Sequence, residues 1–112
     1  MDDIRLKTAP FEWRGETIRL RCNMNVLADV QEMYGGDISK AFNKGSTIRA
    51  TLSFLTAMIN DATDGSLTVR EVGRELTPAD LNKISTTVLP LVTAALKSDG
   101  EKTEKKTMKA SL

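Results

Sequence analysis

Apolar and polar residues alternate over the first part of the chain. Ile4, Leu6 and Ala9 stand against Arg5 and Lys7, Phe11 and Trp13 flank Glu12, and Ile18, Leu20 and Cys22 alternate with Arg19 and Arg21. Period-two alternation predicts strands with one buried and one wet face across residues 4–22. Arg14-Gly15-Glu16 reads as the turn, because Gly15 can take positive φ without a Cβ clash. The expectation is a β-hairpin or a three-stranded meander. Two or three strands are marginal alone, so helices must cover their apolar face.

From Asn23 onward the period lengthens. Asn23 is a candidate N-cap for a helix near 24–34, with Val26, Leu27, Val30, Met33 and Tyr34 on one face and Gly35-Gly36 as its stop. Asp37 can cap a short helix through Ile38, Ala41 and Phe42. Gly45 breaks that turn, and Ser46 or Thr47 opens a helix near 47–62. This helix carries two apolar stripes: Ile48, Leu52, Leu55 and Ile59, with Phe54 and Met58 beside them. It is either the central helix of a bundle or one with a second stripe facing a partner. Thr68-Val69-Arg70-Glu71 is a capping-box pattern, and Thr77-Pro78-Ala79-Asp80 repeats the start signal with proline at the first helical position. The last helix is expected from Pro78 to Lys97, burying Leu81, Ile84, Val88, Leu91, Val92 and Ala95. Pro90 lies inside it and should kink or break it near Val88, at a cost of about 3 kcal/mol if unrelieved.

These elements define an α+β fold: an N-terminal antiparallel hairpin or meander on a bundle of four to five helices. One domain is expected over residues 1–97, followed by a charged tail, 98–112, with too few apolar residues to order itself. The chain has 112 residues, enough for one core and not two.

Charge and composition remove several function classes. Sixteen Lys and Arg nearly balance fifteen Asp and Glu, so no long-range field draws the chain to nucleic acid or an anionic membrane. Histidine is absent and Cys22 is the only cysteine, which leaves no imidazole base, no internal disulfide and no thiolate zinc set. An enzyme is therefore not expected, nor a cofactor. No secretory signal or membrane-spanning run is visible, and a cytoplasmic protein is expected.

Residues 60–71 align with a calcium-binding loop between two helices: Gly65 falls at its turn position, Leu67 at its apolar position and Glu71 at its final carboxylate. Asn60 and Ala62 stand where charged ligands are needed, so a turn followed by a capped helix explains the segment better. A degenerate regulatory module of this kind is the alternative reading. Arg14, Arg19 and Arg21 near Trp13 could suggest a nucleic-acid face, but the balanced charge favours a solvated sheet face over a buried aromatic anchor. Arg70, Glu71, Arg74 and Glu75 form the alternating charges of a surface helix. No phosphate-loop spacing and no paired carboxylates in an apolar setting occur.

The order of elements, and the wording Glu16-Thr17-Ile18-Arg19-Leu20-Arg21, Leu27-Ala28-Asp29-Val30-Gln31-Glu32-Met33-Tyr34-Gly35 and Leu67-Thr68-Val69-Arg70-Glu71-Val72-Gly73, resembles the tail assembly chaperones of long-tailed phages, prophages and gene transfer agents. The resemblance spans residues 16–97. It implies a non-enzymatic protein that binds the long helical tape measure protein and keeps it soluble until tail tube subunits assemble, with the tail tube protein as a further partner. Met33, Tyr34, Phe54 and Met58 would then line a partner groove. An exposed second stripe would also favour a homo-oligomer. The family often makes a longer product by frameshifting, and Lys105-Lys106 could derive from a slippery adenine run, although a plain charged tail explains them as well.

Overall fold

The computed structural model describes the backbone of residues 7–42 and 47–111, and the side chains of residues 7–41 and 48–96. Strand β1 (Thr8–Trp13) pairs antiparallel with β2 (Glu16–Arg21). Phe11 lies opposite Ile18 and Ala9 opposite Leu20, which puts the apolar alternates of both strands on one face. Arg14 (φ 53°) and Gly15 (φ 83°) both take left-handed conformations, the two-residue turn whose twist suits a tight hairpin. A third strand from Ile4 and Leu6 lies outside the described residues.

Helix α1 (Met24–Met33) follows, and the Oδ1 of Asn23 accepts the Val26 N–H at 3.0 Å, the expected cap. A 3-10 turn spans Ile38–Phe42, opened by Asp37, whose Oδ1 accepts from the Ser39 N–H and hydroxyl. Those two hydrogen bonds hold the Asp37 carboxyl below its ordinary range. Helix α2 covers Thr47–Thr63; the cap expected from Ser46 or Thr47 lies outside the described side chains. Helix α3 (Val69–Arg74) starts on the full Thr68–Glu71 capping box. Pro78–Asp80 form a 3-10 turn in which the Asp80 carboxylate accepts the Thr77 N–H at 2.9 Å, and α4 (Leu81–Ser111) continues from it.

The fold is α+β, and α2 is its centre. It packs against β2, α1, α3 and α4. Leu20 and Cys22 from the hairpin, Val26 and Val30 from α1, Val72 from α3, and Ile84, Val88, Leu91 and Val92 from α4 close around Leu55, Met58 and Ile59. Burial of this kind, at roughly 25 cal/mol per Å2 of apolar surface, is what holds the short hairpin in place.

One expectation about α4 meets a different outcome. The helix is unbroken through Pro90. Leu89 and Pro90 are exposed while Val88, Leu91 and Val92 are buried, so the proline ring sits on the solvent side, where the lost backbone bond is least costly. The helical backbone passes Lys97 and runs to Ser111. No proline interrupts it there, and Gly100 is the only strong helix-weakening residue.

Candidate functional site

The four residues expected to form a partner groove do not share a surface. Phe54 is 3% exposed and Met58 fully buried, both inside the core. Their stripe is covered by other parts of this chain, so it is not open to a partner. Tyr34 is half-buried, with its hydroxyl 3.4 Å from Ser53 Oγ; Ser53 in turn donates to the Arg49 carbonyl. That contact ties the end of α1 to α2. Met33 alone of the four is exposed, at 41%.

The 60–71 segment is satisfied by its own bonds. Asn60 accepts from Leu67 N–H and donates to Leu67 C=O, both at 2.9 Å, and its carbonyl receives the Gly65 N–H at 3.0 Å. Asp64 takes a left-handed turn with φ 56°. A Cβ on Gly65 would lie 3.0 Å from Thr63 Oγ1 and 3.2 Å from Asn60 Oδ1, so glycine is needed there for space. Glu71 Oε1 accepts the Thr68 N–H at 2.8 Å. The first and last candidate calcium ligands are therefore both bonded to loop backbone, and no cluster of three or more acidic or cysteine side chains is placed to hold a metal among the described residues.

Two arginines of the hairpin are similarly occupied: Arg19 donates to Thr8 Oγ1 at 3.3 Å, and Arg14 forms an ion pair. Arg14 reaches Glu75, the C-cap residue of α3, its Nε 3.0 Å from both carboxylate oxygens, and its guanidinium lies 5.0 Å from the Trp13 ring centroid. The ion pair raises the Arg14 pKa and lowers that of Glu75. Trp13, 7% exposed, is a core anchor and offers no stacking face.

Among the described residues there is also a cleft without a local sequence signal. It lies where α2 and α3 diverge, with Ile48, Leu52, Val69 and Gly73 as floor and Arg49, Arg70 and Arg74 as rim, and encloses about 520 Å3. A smaller hollow of about 200 Å3 shares Ile48, Leu52 and Gly73 and extends it toward Leu76 and Leu81. Ile48, which lines both, is 57% exposed. Among the described residues none of the three arginines has an ion-pair partner, since Glu71 is held in its cap and Glu75 by Arg14. At the other end of α2, a shallow cleft of about 390 Å3 joins Asp29, Glu32 and Met33 of α1 to Asn60 and the Gly65–Leu67 turn. The arginines come from two helices separated by a turn, and the α1 acids look in sequence like an ordinary wet face, so neither cleft has a local sequence signal.

No protein-family model, no curated protein and no solved structure matches this chain. Among the described residues no helix is long and apolar enough to cross a membrane.

Proposed function

We propose that this chain is a non-enzymatic tail assembly chaperone of a long-tailed phage or prophage, acting in the bacterial cytoplasm to keep the tape measure protein soluble. The observation that carries the reading is the order of elements from residue 16 to 97, together with the wording of the segments quoted above. A hairpin leads into an Asn23-capped helix, then a short turn, a long apolar helix, a capped short helix and a closing helix. The physical need is plain: a very long apolar helix requires a temporary cover, and small helical modules can supply one by helix-in-groove contacts. Exposed Met24, Met33, Ile48 and Leu89 leave apolar surface for such contacts, whereas Phe54 and Met58 do not.

The test is co-expression with the long helix-rich protein encoded beside this gene. The expected outcome is a soluble long protein that co-purifies with this chain and precipitates without it. A long protein equally insoluble in both cases would sink the reading, as would a gene neighbourhood with no such reading frame.

A further inference from the structure

We propose that the cleft between α2 and α3 docks a helical segment of another protein, one that carries two carboxylates a turn apart beside a bulky apolar side chain. This goes beyond the chaperone reading, which names a partner and no site, and either can fail without the other.

The rim selects the charge and its spacing. Arg70 and Arg74 lie four residues apart on α3 and line the same cleft, one helical turn or about 6 Å apart along the axis. Arg49 of α2 completes the rim. All three are exposed, and none has an ion-pair partner among the described residues. The acids of α3 are engaged elsewhere, Glu71 in the Thr68 cap and its C-cap residue Glu75 with Arg14. A carboxylate brought to this rim therefore displaces no described internal partner. Carboxylates at positions i and i+4 of a partner helix repeat the spacing of Arg70 and Arg74, and the guanidinium fork suits them.

The floor selects the apolar side chain between them. Ile48 is exposed, and it lines both the cleft of about 520 Å3 and the adjoining hollow of about 200 Å3, which Leu76, Pro78 and Leu81 extend. An apolar anchor seated in such a hollow, with charges at its edge, is the arrangement of a helix laid in a groove. A polyanion would meet the rim and gain nothing from the floor. A neutral apolar helix would cover the floor and leave the rim unused.

Fluorescence anisotropy with three labelled peptides tests this. Each has about 18 residues, or five helical turns, with one leucine stripe on an alanine and glutamine background. Beside the stripe, at i and i+4, the first carries glutamate, the second glutamine and the third lysine. The full chain should bind the glutamate peptide with a Kd of about 10–100 μM, the glutamine peptide roughly tenfold more weakly, and the lysine peptide more weakly still. About 0.5 M NaCl should remove most of the difference. Arg70→Glu/Arg74→Glu should reverse the order, so that the lysine peptide binds best. Circular dichroism checks that this variant keeps its helices. If it loses them, Arg70→Gln/Arg74→Gln replaces it and should bind the glutamate and glutamine peptides equally. Dodecanoate at about 1 mM, a single carboxylate on an alkyl chain, should leave the glutamate peptide bound. The proposal is overturned by no binding of the glutamate peptide up to about 1 mM, or by equal affinity of the wild type for all three peptides. It is also overturned by an order that the arginine substitutions leave unchanged, or by displacement with dodecanoate, which would reassign the cleft to a small amphiphile.

Discussion

The thiol of Cys22 is 2% exposed, at the end of β2 against the core. Burial pushes its pKa from the ordinary 9.0 up to about 11, because the thiolate would lose its hydration there. In the unfolded chain it ionises near the ordinary value. The protonated thiol therefore contributes its stability in full below pH 9, and that contribution disappears as pH rises through about 11. Denaturant midpoints measured across this window should fall for the wild type and fall less steeply for Cys22→Ala, in which the group is gone. Equal slopes would show that the thiol is hydrated in the folded state. At neutral pH the same burial makes Cys22 slow to alkylate until the protein unfolds. Thr56 is a cost of another kind: its hydroxyl is buried in α2 with no hydrogen-bond partner among the described residues.

Among the elements, the turn between α2 and α3 depends on one side chain. Asn60 serves both backbone groups of Leu67, which are otherwise part-buried without partners. Asn60→Ala should cost about 1–3 kcal/mol in urea unfolding, and Asn60→Asp, which keeps the acceptor and loses the donor, should fall between it and the wild type. A loss under about 0.5 kcal/mol for the alanine variant would mean that water replaces the amide. The sequence shows Gly65, the Thr68–Glu71 box and the helix starts, because caps and turns are local and each residue type has its own reason to be there. It shows the hairpin face for the same reason, since alternation and the Arg14-Gly15 turn lie within fourteen residues, from Thr8 to Arg21. It does not show which elements cover α2. Phe54 and Met58 read as a spare stripe, and they are buried because contacts from β2, α1 and α4, distant in sequence, wrap both sides of the helix. Of the residues expected at a partner surface only Met33 is open, and the Arg49–Arg70–Arg74 rim could be found only once α2 and α3 were seen side by side.

At the scale of the whole molecule, one helix sets the shape. α4 has 31 residues. At 1.5 Å per residue that is about 46 Å, close to the longest extent of 50 Å. The radius of gyration, 14.8 Å, exceeds the value near 13 Å expected of a compact chain of this length. The last α4 side chain packed on the core, among those described, is Leu96. Beyond it the sequence is mostly Ser, Asp, Glu, Lys and Thr, with Gly100 and Ala110, and with Met108 and Leu112 as its only large apolar residues. A polar helical stretch of this length gains little from propensity alone, and helical stability in proteins comes mainly from packing an apolar face. Removing residues 98–112 should therefore leave the thermal midpoint within about 2 °C of the full chain, equivalent to less than about 0.5 kcal/mol. Small-angle scattering of the shortened protein should give a radius of gyration near 12.5 Å, the compact value for 97 residues. A much larger drop in the midpoint would show that the segment packs on the bundle in solution. An unchanged midpoint with the smaller radius would make residues up to Lys97 the folding unit, and leave the C-terminal turns of α4 free to differ between products of the same gene without disturbing the core.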